Sequence, residues 1–153
     1  MLHLISPRLQ FRKMILGIGC DSIEIERIRS AIQRHGHAFV LRLFSKQEIE
    51  YCQRYQDPVP SIAGRFAAKE ALVKALGCGF GSQISWHNIE ILNNSEGKPY
   101  VIWHNNIENR FAIQKTHLSI SHSKTIAIAY ALIEERRSHN ERGISRESEI
   151  CCE

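Results

Sequence analysis

One stretch of the sequence places a carboxylate and an amine one helical turn apart among apolar residues. Glu70 and Lys74 lie in a run from Ser61 to Leu76 that predicts a helix, capped by Ser61 and ended by Gly77. Five alanines in this run would let another backbone approach closely. A carboxylate can ligate a divalent cation and an ammonium group can neutralise phosphoryl charge, so the pair predicts metal and phosphate chemistry. The alternative is an ordinary surface ion pair.

A second carboxylate is needed for such a metal site, and Asp21 is the candidate. It lies in a largely apolar strand predicted over residues 15–25. An unpaired acid there would be costly, so Asp21 is either a metal ligand or the partner of an arginine. We interpret the preceding Gly17-Ile18-Gly19 as a turn, because no third glycine opens a helix as a dinucleotide fingerprint requires. Gly77-Cys78-Gly79-Phe80-Gly81 lacks the P-loop ending and is interpreted in the same way.

The histidines of a later predicted strand offer a third site. His117 and His122 flank two serines, but no Gly-x-Ser-x-Gly elbow supports a serine hydrolase. One interpretation is a histidine satisfied within the sheet. In the other, His122 stands beside Ser123 and Lys124 in a tight turn and could bind a phosphate there.

The elements that must position these residues form no repeat and no strict βαβ alternation. Helices are predicted over residues 27–44 with a break near Gly36, after a capping box at Ser45-Lys46-Gln47-Glu48, and over the Ser61 run. Strands are predicted over residues 15–25, 89–92, 100–103, 118–121 and 126–133. This order predicts an α+β fold, mainly an antiparallel sheet with packed helices. The 126–133 strand is apolar on both faces, so helices or another subunit must cover both.

Composition and charge exclude several classes of protein. The chain has 153 residues, of which 43% are hydrophobic and 24% charged, which suits a globular domain. Its apolar runs are shorter than the roughly 18 residues of a membrane span. A net charge of +4 is too weak for a dedicated nucleic-acid binder.

Positive charge is concentrated in one part of the chain. Residues 27–54 hold six bases, among them Arg27, Arg34 and Arg42, against Glu48 and Glu50. The stretch is either a docking face for an acidic partner or a solvated helical surface.

The cysteines and the two ends complete the prediction. The five cysteines are odd in number, and Cys20, Cys52 and Cys78 lie far apart, which favours free thiols in a reducing, cytoplasmic setting. We expect a working domain over residues 14–134, with Met14 as a possible native start. Residues 1–13 would then be an extension that is not native, and residues 135–153 a polar, disordered tail in which Cys151 and Cys152 have no assigned role.

Several motifs together resemble one family. They are Gly17-Ile18-Gly19-Cys20-Asp21 with Glu24-Ile25-Glu26-Arg27-Ile28, Gly64-Arg65-Phe66-Ala67-Ala68-Lys69-Glu70-Ala71, Gly97-Lys98-Pro99, and Leu118-Ser119-Ile120-Ser121-His122-Ser123. In this order they are similar to the bacterial holo-acyl-carrier-protein synthases, the small class of phosphopantetheinyl transferases. The resemblance covers about residues 14–134 and departs from the family in Cys20, where an aliphatic residue is expected.

The resemblance implies a fold, a reaction and a set of partners. Members transfer 4'-phosphopantetheine from coenzyme A to a serine of apo-acyl carrier protein, with Mg²⁺ required, and form homotrimers with sites between subunits. Asp21 and Glu70 would ligate Mg²⁺, and Lys74 would neutralise the pyrophosphate and assist the leaving group. The remaining roles are 3'-phosphate contacts by His122 and Ser123, adenosine contacts by Gly97 and Pro99, and phosphate support by Arg65 and Lys69. Arg27 matches the family's carrier-binding arginine, and the basic stretch that also holds Arg34 and Arg42 would suit the acidic face of a carrier protein.

Two questions stay open at the level of sequence. The base that activates the serine could be Glu70 or a metal-bound water. A module that binds coenzyme A or a carrier protein without turnover, or a Mg²⁺-dependent phosphohydrolase, would use the same surface. The retention of Asp21, Glu70 and Lys74 favours the transferase over an inactive module.

Overall fold

A computed structural model describes residues 14–136 of the chain. The expectations for residues 1–13 and for the tail from residue 137 on, including Cys151 and Cys152, lie outside the described residues. The strands are β1 (Met14–Glu24), β2 (Ile89–Asn93), β3 (Pro99–Trp103), β4 (Ile113–His122) and β5 (Ile126–Glu135). The helices are α1 (Ile25–His35), α2 (His37–Leu43), α3 (Lys46–Cys52), α4 (Val59–Ala75) and the short α5 (Ile107–Arg110).

The strands form two antiparallel sheets. The larger has the order β1-β5-β4, and β2 and β3 form a separate hairpin. The predicted α+β class with antiparallel pairing is confirmed. The predicted break at Gly36 is also confirmed, and the φ angle there is +64°. The capping box is confirmed as well. The Glu48 backbone N–H donates to Ser45 Oγ at 3.2 Å, and the Ser45 N–H donates to Glu48 Oε2 at 2.8 Å.

Helix α4 begins earlier than the sequence suggested, and Ser61 does not cap it. It begins at Val59, and Pro60 lies in its first turn, where a missing N–H costs nothing. The Val59 N–H donates to the Asp57 carboxylate at 3.1 Å. The Ser61 hydroxyl instead accepts a hydrogen bond from the Arg65 guanidinium at 3.0 Å, so Ser61 belongs to the candidate site.

The glycines of β1 are not a turn, contrary to the interpretation above, but lie within the strand against α4. A Cβ atom added to Gly17 would stand 1.9 Å from the carbonyl oxygen of Ala75, and one added to Gly19 would stand 1.9 Å from that of Ala71. The alanines thus do allow another backbone to approach, and that backbone is β1. This contact brings the strand and the helix close enough for their polar side chains to meet.

The larger sheet has one covered face and one exposed apolar face. Along β5, Ala127, Ala129 and Ala131 are buried on the side that packs against α4. Ile18 and Tyr130 lie on the opposite side and are 65% and 54% exposed. We expected both faces of β5 to be covered. Within the described part of this single chain, only the face toward α4 is covered.

Two smaller expectations can also be compared with the described residues. Cys20, Cys52 and Cys78 are free thiols, as the dispersed spacing predicted. Between residues 14 and 136, no helix combines the length and the apolar character needed to cross a membrane.

Candidate functional site

The fold brings Asp21, Glu70 and Lys74 together from two elements. Asp21 lies on β1 opposite Ala129 of β5, on the sheet face that packs against α4. Lys74 Nζ donates to Asp21 Oδ1 at 2.7 Å and to the Cys20 carbonyl at 3.2 Å. Lys74 thus bridges to the strand, rather than making the surface ion pair with Glu70 that the four-residue spacing allowed.

The two carboxylates of this site influence each other. The pKa of Glu70 is raised, first by partial burial and then by repulsion from Asp21, while Lys74 acts in the opposite direction. The hydrogen bond to Asp21 raises the pKa of Lys74, which therefore remains a cation. Two carboxylates that repel each other are a suitable donor set for a hard cation.

This donor set has the character that Mg²⁺ requires. Among residues 14–136, no three or more His, Cys, Asp or Glu side chains are grouped to hold a metal ion. Asp21 and Glu70 bring carboxylate oxygens from one strand and one helix. Mg²⁺ commonly binds through one or two carboxylates plus substrate phosphates and water, so the residues present fit that ion.

A cavity of about 270 Å³ lies at the N-terminal part of α4. It brings together Arg65, Gly97, Pro99 and His122, for all of which the family resemblance implied coenzyme binding. Apolar surface from two tyrosines, two prolines and an isoleucine makes up much of the remaining wall. The full set of lining residues is Tyr51, Tyr55, Asp57, Pro60, Ser61, Gly64, Arg65, Asn93, Gly97, Pro99, Ile120 and His122.

Arg65 is held in place at the wall of this cavity. The residue is 4% exposed, and its guanidinium donates to Asn93 Oδ1 at 2.6 Å as well as to Ser61. The same group lies 4.2 Å from the centroid of the Tyr51 ring. Its Nε is buried and has no hydrogen-bond partner within the described chain.

The tyrosines and Asn93 are site residues that the sequence analysis missed. The rings of Tyr51 and Tyr55 are in edge-to-face contact, with their centroids 6.0 Å apart, and their hydroxyl oxygens are 3.3 Å apart. Their four-residue spacing was a usable signal, because it would place both rings on one side of a helix; in the structure α3 ends at Cys52 and Tyr55 follows it. Asn93 gave no signal, since only the β2–β3 hairpin brings it to Arg65.

Ser123 lies beside His122 in the β4–β5 turn. Its hydroxyl accepts hydrogen bonds from the backbone N–H groups of Thr125 and Ile126, at 3.2 Å each. This arrangement fixes the turn that follows His122. The phosphate contact expected for Ser123 stays a prediction.

Lys69 is placed inside the protein, away from the cavity surface. Its side chain is 0% exposed and donates to Glu48 at 2.9 Å and to the carbonyl oxygens of Leu43 and Trp86 at 2.8 and 3.1 Å. All three donors of the ammonium group are thus used by the protein. The expectation that Lys69 supports phosphates is corrected accordingly: Lys69 joins α4 to the segments around it.

The basic residues of the predicted docking face divide into two groups. Arg27 and Arg34 border a second cavity on α1, of about 320 Å³, which Glu24, Glu26 and His35 also line. Arg42 is exposed on α2. All three side chains are thus accessible to a partner.

Comparison with known proteins identifies the class to which this fold and site belong. Residues 17–131 match the family model described as the 4'-phosphopantetheinyl transferase superfamily. The chain is 50% identical to the holo-[acyl-carrier-protein] synthase of Protochlamydia amoebophila over 119 residues, 78% of this chain and 98% of that protein. The corresponding enzyme of Chlamydia pneumoniae is 48% identical over 118 residues, 77% of this chain and 96% of that protein.

Solved structures give the same result. The Helicobacter pylori holo-[acyl-carrier-protein] synthase in complex with coenzyme A has a TM-score of 0.72 and 36% identity, covering 76% of this chain and 98% of its own. The Neisseria meningitidis synthase has a TM-score of 0.75 and 32% identity, covering 80% of this chain and 100% of its own. The chain belongs to the 4'-phosphopantetheinyl transferase superfamily, among its holo-[acyl-carrier-protein] synthases.

Proposed function

We propose that this chain transfers the 4'-phosphopantetheine group of coenzyme A to a serine of apo-acyl carrier protein, giving holo-acyl carrier protein and adenosine 3',5'-bisphosphate. The observation that carries the proposal is the meeting of Asp21, Glu70 and Lys74 at the contact between β1 and α4. The family membership supplies the reaction, and this geometry supplies the charged groups that the reaction needs.

Asp21 and Glu70 are the residues that would hold Mg²⁺. When bound, the ion supplies positive charge to the pyrophosphate and an acidic site for its oxygens. Lys74 keeps its proton beside Asp21 and adds a second positive charge where the leaving group departs.

The attacking serine must lose its proton to a base. Glu70 and a water molecule in the site are the two candidates. The raised pKa of Glu70 supports the first, because a base is most effective when its pKa approaches the working pH. Partial burial of Glu70 contributes to this shift, and it also keeps the carboxylate close to the reacting groups.

The adenosine and 3'-phosphate of coenzyme A fit the cavity at the N-terminal part of α4. Gly97 and Pro99 border it for the adenosine, and His122, Arg65 and the adjacent Ser123 turn lie where a phosphate would be bound. Arg65 is already positioned by Ser61 and Asn93, so its guanidinium needs little reorganisation to contribute positive charge at the cavity wall.

Two exposed surfaces of the chain are available to protein partners. The acidic carrier protein would dock on Arg27, Arg34 and Arg42, whose side chains are accessible. The exposed apolar face that includes Ile18 and Tyr130 supports a homotrimer, in which other subunits would cover it and complete the sites. Free cysteines support a cytoplasmic location.

A mass measurement tests the transfer directly. Apo-acyl carrier protein is incubated with coenzyme A, Mg²⁺ and the enzyme, and its intact mass is followed with and without a chelator. We expect a Mg²⁺-dependent gain of one phosphopantetheine, lost in Glu70→Gln. Binding of coenzyme A without any gain would support a binding module instead, and cleavage of coenzyme A without carrier protein would support a hydrolase.

A further inference from the structure

The cavity assigned to coenzyme A contains an acid that should repel its ligand. Asp57 lies on the wall of this cavity, where we place a phosphate group, and Asp57 is exposed. Arg65 and Asp57 are the lining residues, within the described chain, that carry a full charge at neutral pH. Their charges sum to zero, which is a poor electrostatic environment for an anion.

Arg29 of α1 changes this balance from outside the cavity. Its Nη2 donates to Asp57 Oδ2 at 2.7 Å, and its Nη1 lies 3.5 Å from Asp57 Oδ1. Glu26, one turn earlier on α1, contacts Arg29 Nε at 3.4 Å from the other side. A guanidinium that faces both oxygens of a carboxylate is the strong, directional form of ion pair.

The Asp57 side chain cannot rotate away from the cavity without losing a second hydrogen bond. Its Oδ1 accepts the Val59 N–H at the first residue of α4. The hydrogen bond from Arg29, followed by that from the Val59 N–H, lowers the pKa of Asp57, so its carboxylate stays ionised. The cavity therefore keeps a fixed negative group, and Arg29 is the group that compensates it.

We propose that Arg29 is a positioning residue for coenzyme binding: by pairing with Asp57 it cancels a negative charge on the wall of the cavity that receives the 3'-phosphate. The proposal rests on the proposed function, which places that phosphate in this cavity. Arg29 acts through Asp57, since Arg29 itself does not line the cavity.

Three variants separate this role from a general effect of charge. In Arg29→Ala, the Asp57 charge is uncompensated, and we expect affinity for adenosine 3',5'-bisphosphate to fall about tenfold at low salt, less at high salt. In Asp57→Asn, the negative charge on the cavity wall is removed, Arg29 keeps its ion pair with Glu26, and the amide oxygen can still accept the Val59 N–H. We expect affinity within about twofold of the wild type. The double variant should return to within about twofold of the wild type, because the charge exposed by loss of Arg29 is gone.

The measurement is isothermal titration of the full-length chain with adenosine 3',5'-bisphosphate, together with the KM for coenzyme A and kcat. We expect the change in KM and not in kcat, which a general loss of folding would not produce. Lys46→Ala is the matched control, because it removes a cation from the exposed Lys46–Glu50 pair outside the cavity. Its affinity should be that of the wild type.

Two results would overturn the inference while leaving the transferase intact. The first is normal affinity in Arg29→Ala. The second is a gain in affinity for adenosine 3',5'-bisphosphate in Asp57→Asn that equals the loss in Arg29→Ala. A change in the net charge of the protein would then explain both results without a specific role for the ion pair. If the wild type neither binds adenosine 3',5'-bisphosphate nor transfers phosphopantetheine, the proposed function fails and this inference fails with it.

Discussion

Replacement of Gly19 by alanine should separate the strand and helix that form the carboxylate site. The added Cβ would stand 1.9 Å from the Ala71 carbonyl oxygen and 2.7 Å from the Ala75 backbone nitrogen. Both obstacles are backbone atoms, so no side-chain rotation can relieve the contact. Ordinary van der Waals contact requires at least 3.4 Å. We therefore expect β1 and α4 to move apart by on the order of 1 Å, which lengthens the 2.7 Å contact between Asp21 and Lys74.

The expected cost is large for a single methyl group. Overpacking of a filled interior costs about 1–3 kcal/mol, and a backbone obstacle puts Gly19→Ala at the upper end, about 3 kcal/mol. For a domain of this size, that loss corresponds to a decrease in Tm of roughly 10 °C. Phosphopantetheine transfer should fall by more than the loss of folded protein explains, because a 1 Å displacement of catalytic groups can cost about a hundredfold in rate.

Urea unfolding and the carrier-protein mass assay measure the two effects separately. Protein concentration must be held constant, since the proposed subunit association would contribute to the apparent stability. Gly79→Ala is the matched control: an added Cβ there meets no atom within 4 Å, so both stability and transfer should stay close to wild type. If Gly19→Ala were as stable and as active as Gly79→Ala, the close approach of β1 to α4 would not determine the site.

Three further changes test other parts of the structure. Glu70→Gln should abolish Mg²⁺-dependent transfer while leaving the protein at least as stable as the wild type at pH 7. The folded-state pKa of Glu70 lies above its unfolded value, so the charged form opposes folding above that pKa, and the opposition disappears as pH falls through it. Tm compared at pH 7 and at acidic pH measures this, and a Glu70→Gln variant that unfolds at pH 7 would contradict it. Lys69→Met leaves Glu48 buried without a counter-charge and should cost about 3–5 kcal/mol in urea unfolding, whereas Lys69→Met with Glu48→Leu should recover part of that loss. A single variant with wild-type stability would refute the importance of this pair. Tyr130→Glu places a charge on the exposed apolar face and should convert the proposed trimer to a monomer in size-exclusion chromatography with light scattering; a mass equal to that of the wild type would contradict a subunit contact on this face.

Local signals in the sequence were sufficient for most elements of the fold. The capping box at Ser45, the alternation at the end of β1 and the apolar run of β5 arise from neighbouring residues, so they are visible without tertiary structure. The start of α4 was predicted at Ser61 because serine is a common cap. The competing signal was Pro60, which favours the first turn of a helix and placed the start at Val59.

Predictions that depended on contacts distant in sequence were less successful. Lys69 stands next to Glu70, and sequence alone does not distinguish a lysine that faces phosphate from one that is buried against Glu48. Gly17 and Gly19 were interpreted as a turn because glycine usually marks one, whereas their actual requirement is imposed by α4. In both cases the deciding partner lies at least twenty residues away.

Helix α4 explains why these distant contacts matter for function. Arg65 lies at the cavity proposed for coenzyme A and Lys74 at the carboxylate site, nine residues apart on the same continuous helix. At a rise of about 1.5 Å per residue, their backbones are separated by roughly 13 Å. The buried Lys69 between them fixes the helix against α2 and α3. A rigid helix anchored at its centre thus holds the two sites at a constant spacing, as a donor with phosphate groups at separate positions requires.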